Sequence, residues 1–360
     1  MTAEPVSVPA SVDGGAAGAA AGASRRHPWV RALLLLGAAV AVTYAATHLS
    51  STGASWSRAG HLISGLGPRW LLVLGVVWLV GLWVHTVVLT AALPGLTSRR
   101  ALTLNLSGSA VSNVMPLGGL AGTTLNLAMV RGWGHSNLDF ARFVVVSKAT
   151  DVIAKLVMPL VAVVALVLCG AAPSGHVALW LSATGALAAS GGLVVAALLG
   201  RATLLLRLVA VADRLRVRIG RRRDRRPDGL WTSVAADLFA GAGSLVRRRW
   251  ARLSWGMAAY WLLQGALLWC CCAAVGLRAV PAVVLAALVA ERALTLLAIT
   301  PGGTGLVEAG TIGVLIVLGA DPTASLAAIL VFRAFVFAAE IPVGGMALGA
   351  WLLSRRAARY

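Results

Sequence analysis

The chain has 360 residues, of which 59% are hydrophobic and only 12% are charged. Because several apolar runs approach the ~20 residues that cross a bilayer, the composition argues against a soluble protein and predicts an all-α, polytopic helical membrane protein. The net charge of +19 would suit nucleic acid, but the arginines flank the apolar runs as topology signals do, so we expect no nucleic-acid partner.

The first half of the chain, residues 29–200, predicts four membrane spans and one interrupted hairpin. Residues 1–28 precede it and lack any helical stripe, so we expect a disordered tail there. Basic residues open the first apolar run, but no convincing cleavage site follows it, which favours a retained span over a signal peptide. The predicted spans are residues 32–48, 70–93, 141–169 and 177–199.

Two hydrophobic stretches, residues 101–130 and 282–318, are interrupted by proline and glycine and predict re-entrant broken hairpins. The interruptions contain Pro116, Gly118 and Gly119 in the first stretch and Pro301, Gly302 and Gly303 in the second. These residues cannot continue an unbroken helix, and each arm is too short to span. Non-helical backbone at bilayer depth is tolerated only inside protein or beside a water-filled cavity, so we expect both breaks to line a site.

A basic connector, residues 201–252, separates the two halves. Between residues 201 and 226 it has ten arginines against two aspartates. An interfacial amphipathic helix on anionic headgroups and a simple topology determinant are equally good interpretations. The second half, residues 253–360, adds spans at 253–275 and 323–353, and the arginine distribution predicts that both termini are cytoplasmic.

The two halves share one order of elements: a span, a broken hairpin and a long charged span. Pro116 lies 32 residues before Lys148, and Pro301 lies 32 residues before Arg333. One predicted hairpin enters from inside and the other from outside, as in inverted-repeat transporters whose sites lie where broken helices meet. The sequence therefore predicts an inverted repeat and transport, with chance similarity as the alternative.

The candidate substrate site consists of the two breaks and of ionisable residues within apolar sequence. An ionisable group costs roughly 2.5 to 3.5 kcal/mol or more at mid-helix, so each one needs a partner or a polar ligand. These residues are Lys148, Asp151, Glu291, Arg292, Glu308, Arg333 and Glu340.

Each part of this site also has a structural interpretation. Lys148, Asp151 and Lys155 share a helix face with one excess positive charge, which suits a phosphate; alternatively, Asp151 pairs with Lys148 while Lys155 reaches an interface. Glu308 follows the second break and is expected in the first turn of the next helix, where the dipole favours an anion. The pair Arg333 and Glu340 shares one face and could bind substrate or pair with Glu291 and Arg292; Pro342 is expected to bend the helix just beyond it.

Small and polar residues elsewhere in the apolar segments are interpreted as packing positions. His85 is expected to be a packed polar residue rather than a ligand. Ordinary packing is also favoured for Cys169, Cys270, Cys271 and Cys272 and for the small-xxx-small pairs Gly118/Gly122 and Gly345/Gly349. Since no metal-ligand cluster, catalytic arrangement or nucleotide-binding loop is present in the sequence, we expect no cofactor, no metal and no enzymatic activity.

Three motifs carry a family resemblance. The runs Asn113-Val-Met-Pro-Leu-Gly-Gly119, Lys148-Ala-Thr-Asp151 and Thr300-Pro-Gly-Gly-Thr-Gly-Leu-Val-Glu308, followed by Arg333, resemble the flippase-like family of the lysylphosphatidylglycerol synthase transmembrane region. The resemblance covers roughly residues 30 to 355. It implies an inner-membrane protein that moves a lipid or supports envelope assembly. Because the sequence stops at Tyr360, the aminoacyl transfer performed by a soluble domain in two-part synthases is not expected.

Three functions remain open from the sequence. The first is a flippase-like protein moving a phospholipid or lipid-linked envelope precursor, with membrane lipids of anionic headgroup as partners. The second is a non-transporting partner that anchors an envelope glycosyltransferase or lipid-modifying enzyme through the connector. The third is a membrane transferase using Asp151, Glu308 or Glu340 as a base, which no second motif supports.

Overall fold

The computed structural model describes residues 53–115, 118–171, 186, 190–191, 230–297 and 304–357. Every regular element in these ranges is a helix, which confirms the all-α fold. The predicted disordered tail, the first and fourth spans and most of the basic connector lie outside the described residues.

The helices are numbered in chain order. They are α1 (Trp56–Ser64), α2 (Pro68–Ala92), α3 (Ser98–Val114), α4 (Gly118–Gly132), α5 (Asn137–Leu168), α6 (Leu230–Ala274), α7 (Pro281–Leu297), α8 (Leu306–Val317), α9 (Pro322–Arg333), a π-helix (Ala334–Ala338) and α10 (Glu340–Ala357).

Within the described residues, four helices are long and apolar enough to cross a membrane. They are Pro68–Ala92, Asn137–Leu168, Ala236–Ala274 and Pro322–Ala357. Three of them agree with the spans predicted at 70–93, 141–169 and 323–353, and the fourth includes all but the last residue of the span predicted at 253–275. The chain is therefore a multi-pass membrane protein.

The antiparallel helices α2 and α6 form the centre of the bundle. Near one end, a terminal nitrogen of Arg249 donates to the Thr90 carbonyl at 3.3 Å, and α6 bends there because Arg249 has φ −125° and ψ 16°. Further along, a Cβ added at Gly81 would lie 3.8 Å from the Leu263 Cβ, an ordinary packing distance. The C-terminus of α6 therefore lies at the N-terminal end of α2.

Arginines gather at one end of the bundle, which we call the arginine end. Here Arg142 on α5 donates to the Asp237 carbonyl of α6 at 3.2 Å, and Arg355 on α10 lies beside Gly132 of α4. This end contains the N-termini of α3 and α5, the C-termini of α4 and α10 and the bend of α6. Its arginines are Arg99, Arg100, Arg131, Arg142, Arg247, Arg248, Arg249, Arg252, Arg355 and Arg356.

The first hairpin is formed by α3 and α4, with 17 and 15 residues, each shorter than the ~20 residues of a span. It opens at the arginine end. At its tip the Ser112 hydroxyl donates to the Gly118 carbonyl at 2.9 Å. A Cβ at Gly118 would collide with the backbone of Ser112, so only glycine fits where the chain turns back. The predicted break between the two arms is confirmed.

The second hairpin is formed by α7 and α8, with 17 and 12 residues. It opens at the opposite end, because α7 begins directly after the C-terminus of α6. Gly305, immediately before α8, has φ 91°, a left-handed conformation that favours glycine. The predicted interruption at Pro301, Gly302 and Gly303 lies outside the described residues, and a symmetry relation between the two halves stays a prediction.

The last span consists of α9, the π-helix and α10. The Ala339 N–H donates to the Ala334 carbonyl at 2.8 Å, the i→i+5 spacing of a π-turn. The proline that follows, Pro342, has no N–H, and its ring would crowd the carbonyl of residue 338 in a regular helix. The sequence predicted a bend at Pro342; the irregularity lies directly before it as a widened turn.

Helix α1 was not predicted. The Ser55 hydroxyl accepts from the Arg58 N–H at 3.4 Å and caps its N-terminus, while the Ser55 N–H donates to the Thr323 hydroxyl of α9 at 3.1 Å. This helix has only nine residues and is amphipathic, so it lacks the long apolar run that marks a membrane span in the sequence. It attaches to α9 at the end opposite the arginines.

Candidate functional site

Glu308 joins the second break to the last span. Its Oε2 accepts from the Gly305 N–H at 2.7 Å, and its Oε1 accepts from Arg333 Nε at 2.7 Å. The first contact satisfies one of the free N–H groups at the start of α8, where the helix dipole also favours an anion. The predicted place of Glu308 in the first helical turn is confirmed. Both carboxylate oxygens are engaged, so Glu308 holds the break and Arg333 in one arrangement.

Glu291 and Arg292 on α7 extend this network. Arg333 Nη1 lies 3.7 Å from Glu291 Oε1, and Arg292 Nε lies 2.9 Å from Glu291 Oε2. The Glu291 side chain is 1% exposed, against 10% for Arg333 and 18% for Arg292. A buried carboxylate between two guanidinium groups avoids the cost of an uncompensated buried charge. The expected structural pairing of Arg333 with these residues is therefore part of the observed geometry.

The first hairpin reaches the same part of the last span from the other side. Ser109 on α3 lies near the Glu340 carboxylate, and so do the charges of Arg292 and Arg333. Asn113, near the tip of α3, donates through Nδ2 to the Phe337 carbonyl in the π-helix at 3.5 Å. Both broken hairpins thus meet at Arg333–Glu340.

Two charged residues of the first half, Lys148 and Asp151, lie on the side of α5 that faces His85 and Arg292. The charges of Asp151, Lys148 and Arg292 all act on the His85 ring, which stacks on Tyr260 with 4.4 Å between ring centroids. The expectation that His85 is a packed polar residue agrees with this stacking. The structure therefore brings Lys148 and Asp151 of α5 towards Arg292 of α7.

The pairing within α5 differs from the one considered in the sequence. Asp151 Oδ2 lies 2.9 Å from Lys155 Nζ, so the alternative in which Asp151 pairs with Lys148 is wrong. A helix allows both pairings, because Lys155 is four residues from Asp151 and Lys148 is three residues from it. Lys148 is exposed on the described surface of α5.

The small residues of the predicted site divide into three groups. Gly118 packs against α3 at the first tip, whereas a side chain at Gly119 would meet open space. The other four residues lie outside the described residues: Pro116, Pro301, Gly302 and Gly303. Glycine is thus required sterically at one of the two described positions.

Sequence reasoning missed the polar residues of α6. Gln264 Nε2 donates to the Tyr260 hydroxyl at 2.8 Å, and the Trp261 ring lies beneath Arg292, with 5.3 Å from the guanidinium carbon to the ring centroid. The signal was present, because Tyr260 and Gln264 are polar residues at i,i+4 spacing in an apolar span. Ser109 and Asn113 were missed because common polar residues near a helix break do not reveal their partners.

The cluster combines three carboxylates with two guanidinium groups in a largely buried position: Glu291, Glu308, Glu340, Arg292 and Arg333. Such a mixture can bind a polar or charged group by exchange of ion pairs, because Glu291 and Arg333 each have two partners of opposite charge. Among the described residues, no group of three His, Cys, Asp or Glu is placed to hold a metal ion.

Comparison with known proteins connects the fold to a family. Residues 29–344 match the family model described as "Lysylphosphatidylglycerol synthase TM region". No curated protein matches the chain. The match includes both hairpins and the Arg333–Glu340 segment.

Proposed function

The chain belongs to the lysylphosphatidylglycerol synthase transmembrane-region family, and on that premise we propose that it is a flippase-like protein. The family indicates a membrane protein with a lipid-related role in the cell envelope. The proposed activity is movement of a phospholipid or a lipid-linked envelope precursor across the cytoplasmic membrane, without a catalysed chemical step.

The observation that carries this proposal is the meeting of both broken hairpins at a charged cluster inside apolar helices. Ions there are costly, and a structural core is equally well served by apolar residues of similar volume. Broken helices whose ends meet inside a bundle are the usual construction of substrate sites in transporters. A headgroup that entered this cluster would exchange water for ionic partners, which lowers the barrier to its crossing.

The proposed orientation places the arginine end in the cytoplasm. Arginine and lysine are enriched in cytoplasmic segments, and the arginine end contains the C-terminus of α10 and the bend of α6. Both chain termini would then be cytoplasmic, in the inner membrane. Anionic headgroups of the inner leaflet are the partners that this end would attract.

A second candidate function is anchoring of an envelope-synthesis enzyme. It is favoured by the part of α6 before Arg249, which packs along α5 and leaves Arg247 and Arg248 exposed beside Trp250, whose side chain is 62% exposed. An exposed aromatic residue among arginines suits contact with a partner, although it also suits the membrane interface.

Lipid movement in liposomes tests the first function. Purified protein is reconstituted in liposomes containing a phospholipid with a fluorescent headgroup label, and a membrane-impermeant quencher reports the label that is accessible outside. The assay is run with and without imposed ion gradients. We expect the protected inner fraction to fall with wild-type protein and to stay constant in protein-free liposomes.

Two matched variants locate the activity. Arg333→Gln removes a guanidinium from the cluster, whereas Arg355→Gln removes one that stacks on Trp351 near the end of α10. We expect lost lipid movement in the first variant, which stays folded at lower stability, and retained movement in the second. Size-exclusion chromatography checks that both proteins are folded. Protected label that stays constant for wild-type protein under every gradient would overturn the transport proposal and leave anchoring.

A further inference from the structure

Glu340 differs from the other two carboxylates of the charged cluster. Glu291 and Glu308 each lie within 2.9 Å of a guanidinium nitrogen. Glu340, at the start of α10, forms no ion pair with any residue that the structure describes. Its side chain is partly buried among apolar helices. An ionised carboxylate without a partner is costly in such a place, and a proton on it removes that cost.

The charges of the cluster balance without Glu340. The two guanidinium groups, of Arg292 and Arg333, neutralise the carboxylates of Glu291 and Glu308. Glu340 therefore sets the net charge of the cluster, which is one negative charge when Glu340 is ionised and zero when it is protonated. A single proton at this position decides whether the cluster is anionic.

The groups around Glu340 come from several helices. The ionisable side chains that act on it from the other described helices are Arg292 of α7, Arg333 of α9 and Tyr260 of α6. The π-helix packed beside it contains no ionisable residue. Both cations already belong to ion pairs, so Glu340 competes for them with carboxylates that lie closer.

The first hairpin connects Glu340 to the rest of the site. Ser109 of α3 lies near the Glu340 carboxylate, and one turn further along the same helix Asn113 Nδ2 donates to the Phe337 carbonyl at 3.5 Å. Two neighbouring positions of the last span are thus held from one hairpin. A movement of this hairpin against the last span would change the surroundings of the carboxylate.

Proton binding and headgroup binding favour each other at such a cluster. An anionic headgroup repels an ionised Glu340 in a medium of low dielectric constant, and this repulsion disappears when the carboxylate is protonated. The coupling is reciprocal, so a bound headgroup strengthens proton binding by the same factor by which a bound proton strengthens headgroup binding.

We infer that Glu340 takes up one proton when an anionic headgroup enters the charged cluster, so that a proton gradient drives the movement of the lipid. The inference rests on the proposed function and names its driving ion. The proton comes from water on the side where the headgroup enters and returns to water on the side where the headgroup leaves. Because a headgroup with one negative charge travels with one proton, the step moves no net charge across the membrane.

Lipid movement in liposomes under a pH difference tests the driving ion. The probe is phosphatidylglycerol with a short fluorescent acyl chain, which albumin extracts from the outer leaflet. With the membrane potential clamped by potassium and valinomycin, wild-type protein should enrich the probe in the leaflet facing the alkaline side, by up to about tenfold for a pH difference of about one unit. Neither a potassium diffusion potential at equal pH nor a sodium gradient should enrich it.

Two neutral variants of carboxylates are compared. Glu340→Gln keeps the size of the side chain and strands no described cation, so we expect folded protein by size-exclusion chromatography. This variant should move the probe between leaflets without enrichment, because it can no longer bind and release a proton. Asp237→Asn removes an exposed carboxylate of α6 at the arginine end and should enrich the probe as the wild-type protein does.

Proton uptake on lipid binding tests the same group without transport. Short-chain phosphatidylglycerol is added to purified protein in weakly buffered detergent solution, and a pH indicator reports the protons taken up. In a series between about pH 5 and pH 9, wild-type protein should take up at most about one proton per bound lipid, and Glu340→Gln should take up none. Short-chain phosphatidylcholine, which has no net charge, should cause no uptake. If Glu340→Gln fails to fold, the wild-type enrichment and uptake still decide the result.

The outcomes separate this inference from the proposed function. Lipid movement without enrichment under the pH difference, or enrichment driven by sodium ions, would overturn the inference and leave transport standing. Enrichment or proton uptake that persists in Glu340→Gln would assign the proton to another group and equally overturn the inference. Proton uptake that requires Glu340, in a protein that moves no lipid, would support the proton site and overturn transport. Absence of both lipid movement and proton uptake would overturn both.

Discussion

The contact between Arg333 and Glu308 gives the sharpest prediction about stability. Arg333 Nε donates to Glu308 Oε1 at 2.7 Å, and their side chains are 10% and 17% exposed. Arg333→Gln leaves Glu308 and Glu291 without this guanidinium, and breaking a buried pair in this way costs about 3 to 5 kcal/mol. We expect Glu308→Gln to lose one charge-assisted hydrogen bond, which costs about 1.5 to 3 kcal/mol.

The double variant should cost less than the sum of the two single variants. With Glu308 already neutral, removal of Arg333 leaves only Glu291, which retains Arg292 at 2.9 Å. We therefore expect an interaction energy of about 1 to 3 kcal/mol, the range for residues in one ion network. The free energies of unfolding are measured by denaturant titration of the four proteins in one detergent.

The same set of two single variants and one double variant, made at a surface ion pair, serves as the control. Arg142 and Asp139 are 3.8 Å apart, with side chains 27% and 43% exposed, so their interaction energy should stay below about 1 kcal/mol. Additivity within about 0.5 kcal/mol for Arg333 and Glu308 would refute the reasoning, because it would mean that the two charges do not sense each other.

Three further predictions concern packing, the hairpin tip and topology. Gly344→Ala should lower the free energy of unfolding by about 1 to 3 kcal/mol, because its Cβ would collide with the backbone of α3, whereas Gly345→Ala faces open space and should be neutral or stabilising by up to about 1 kcal/mol. Asn113→Ala should cost about 1 kcal/mol in the same assay, because it removes the hydrogen bond to the π-helix carbonyl, and an unchanged value would show that water replaces it. Cysteines replacing Arg99 and Arg278 should react with impermeant reagents from opposite sides of the membrane, and labelling from one side would contradict the orientation.

The helix breaks were predictable because their cause is local. Proline lacks an N–H and glycine lacks a Cβ, so a helix cannot pass through either hairpin tip unchanged. Gly305 with φ 91° and Gly118 packed against Ser112 show this directly. Glu308 was placed correctly for the same reason, since a carboxylate three residues after the break meets free N–H groups of its own helix.

Close packing was only partly predictable. The pair Gly118/Gly122 packs tightly against α3, but Gly345 and Gly349 face open space, and Gly344 makes the close contact in α10. One residue corresponds to about 100° around a helix, so the choice of glycine depends on the direction from which the neighbouring helix approaches. The sequence of α10 does not contain that direction.

The sequence by itself determined a multi-pass helical fold, the positions of its breaks and the set of buried charges, because bilayer length, backbone chemistry and desolvation act on each segment alone. Tertiary structure decided which charges meet. Arg333 contacts Glu308 and Glu291, Asp151 selects Lys155, and the first hairpin reaches the π-helix through Asn113. The partners of buried ions are set by the packing of distant segments, and spacing along one chain leaves several pairings with similar energy.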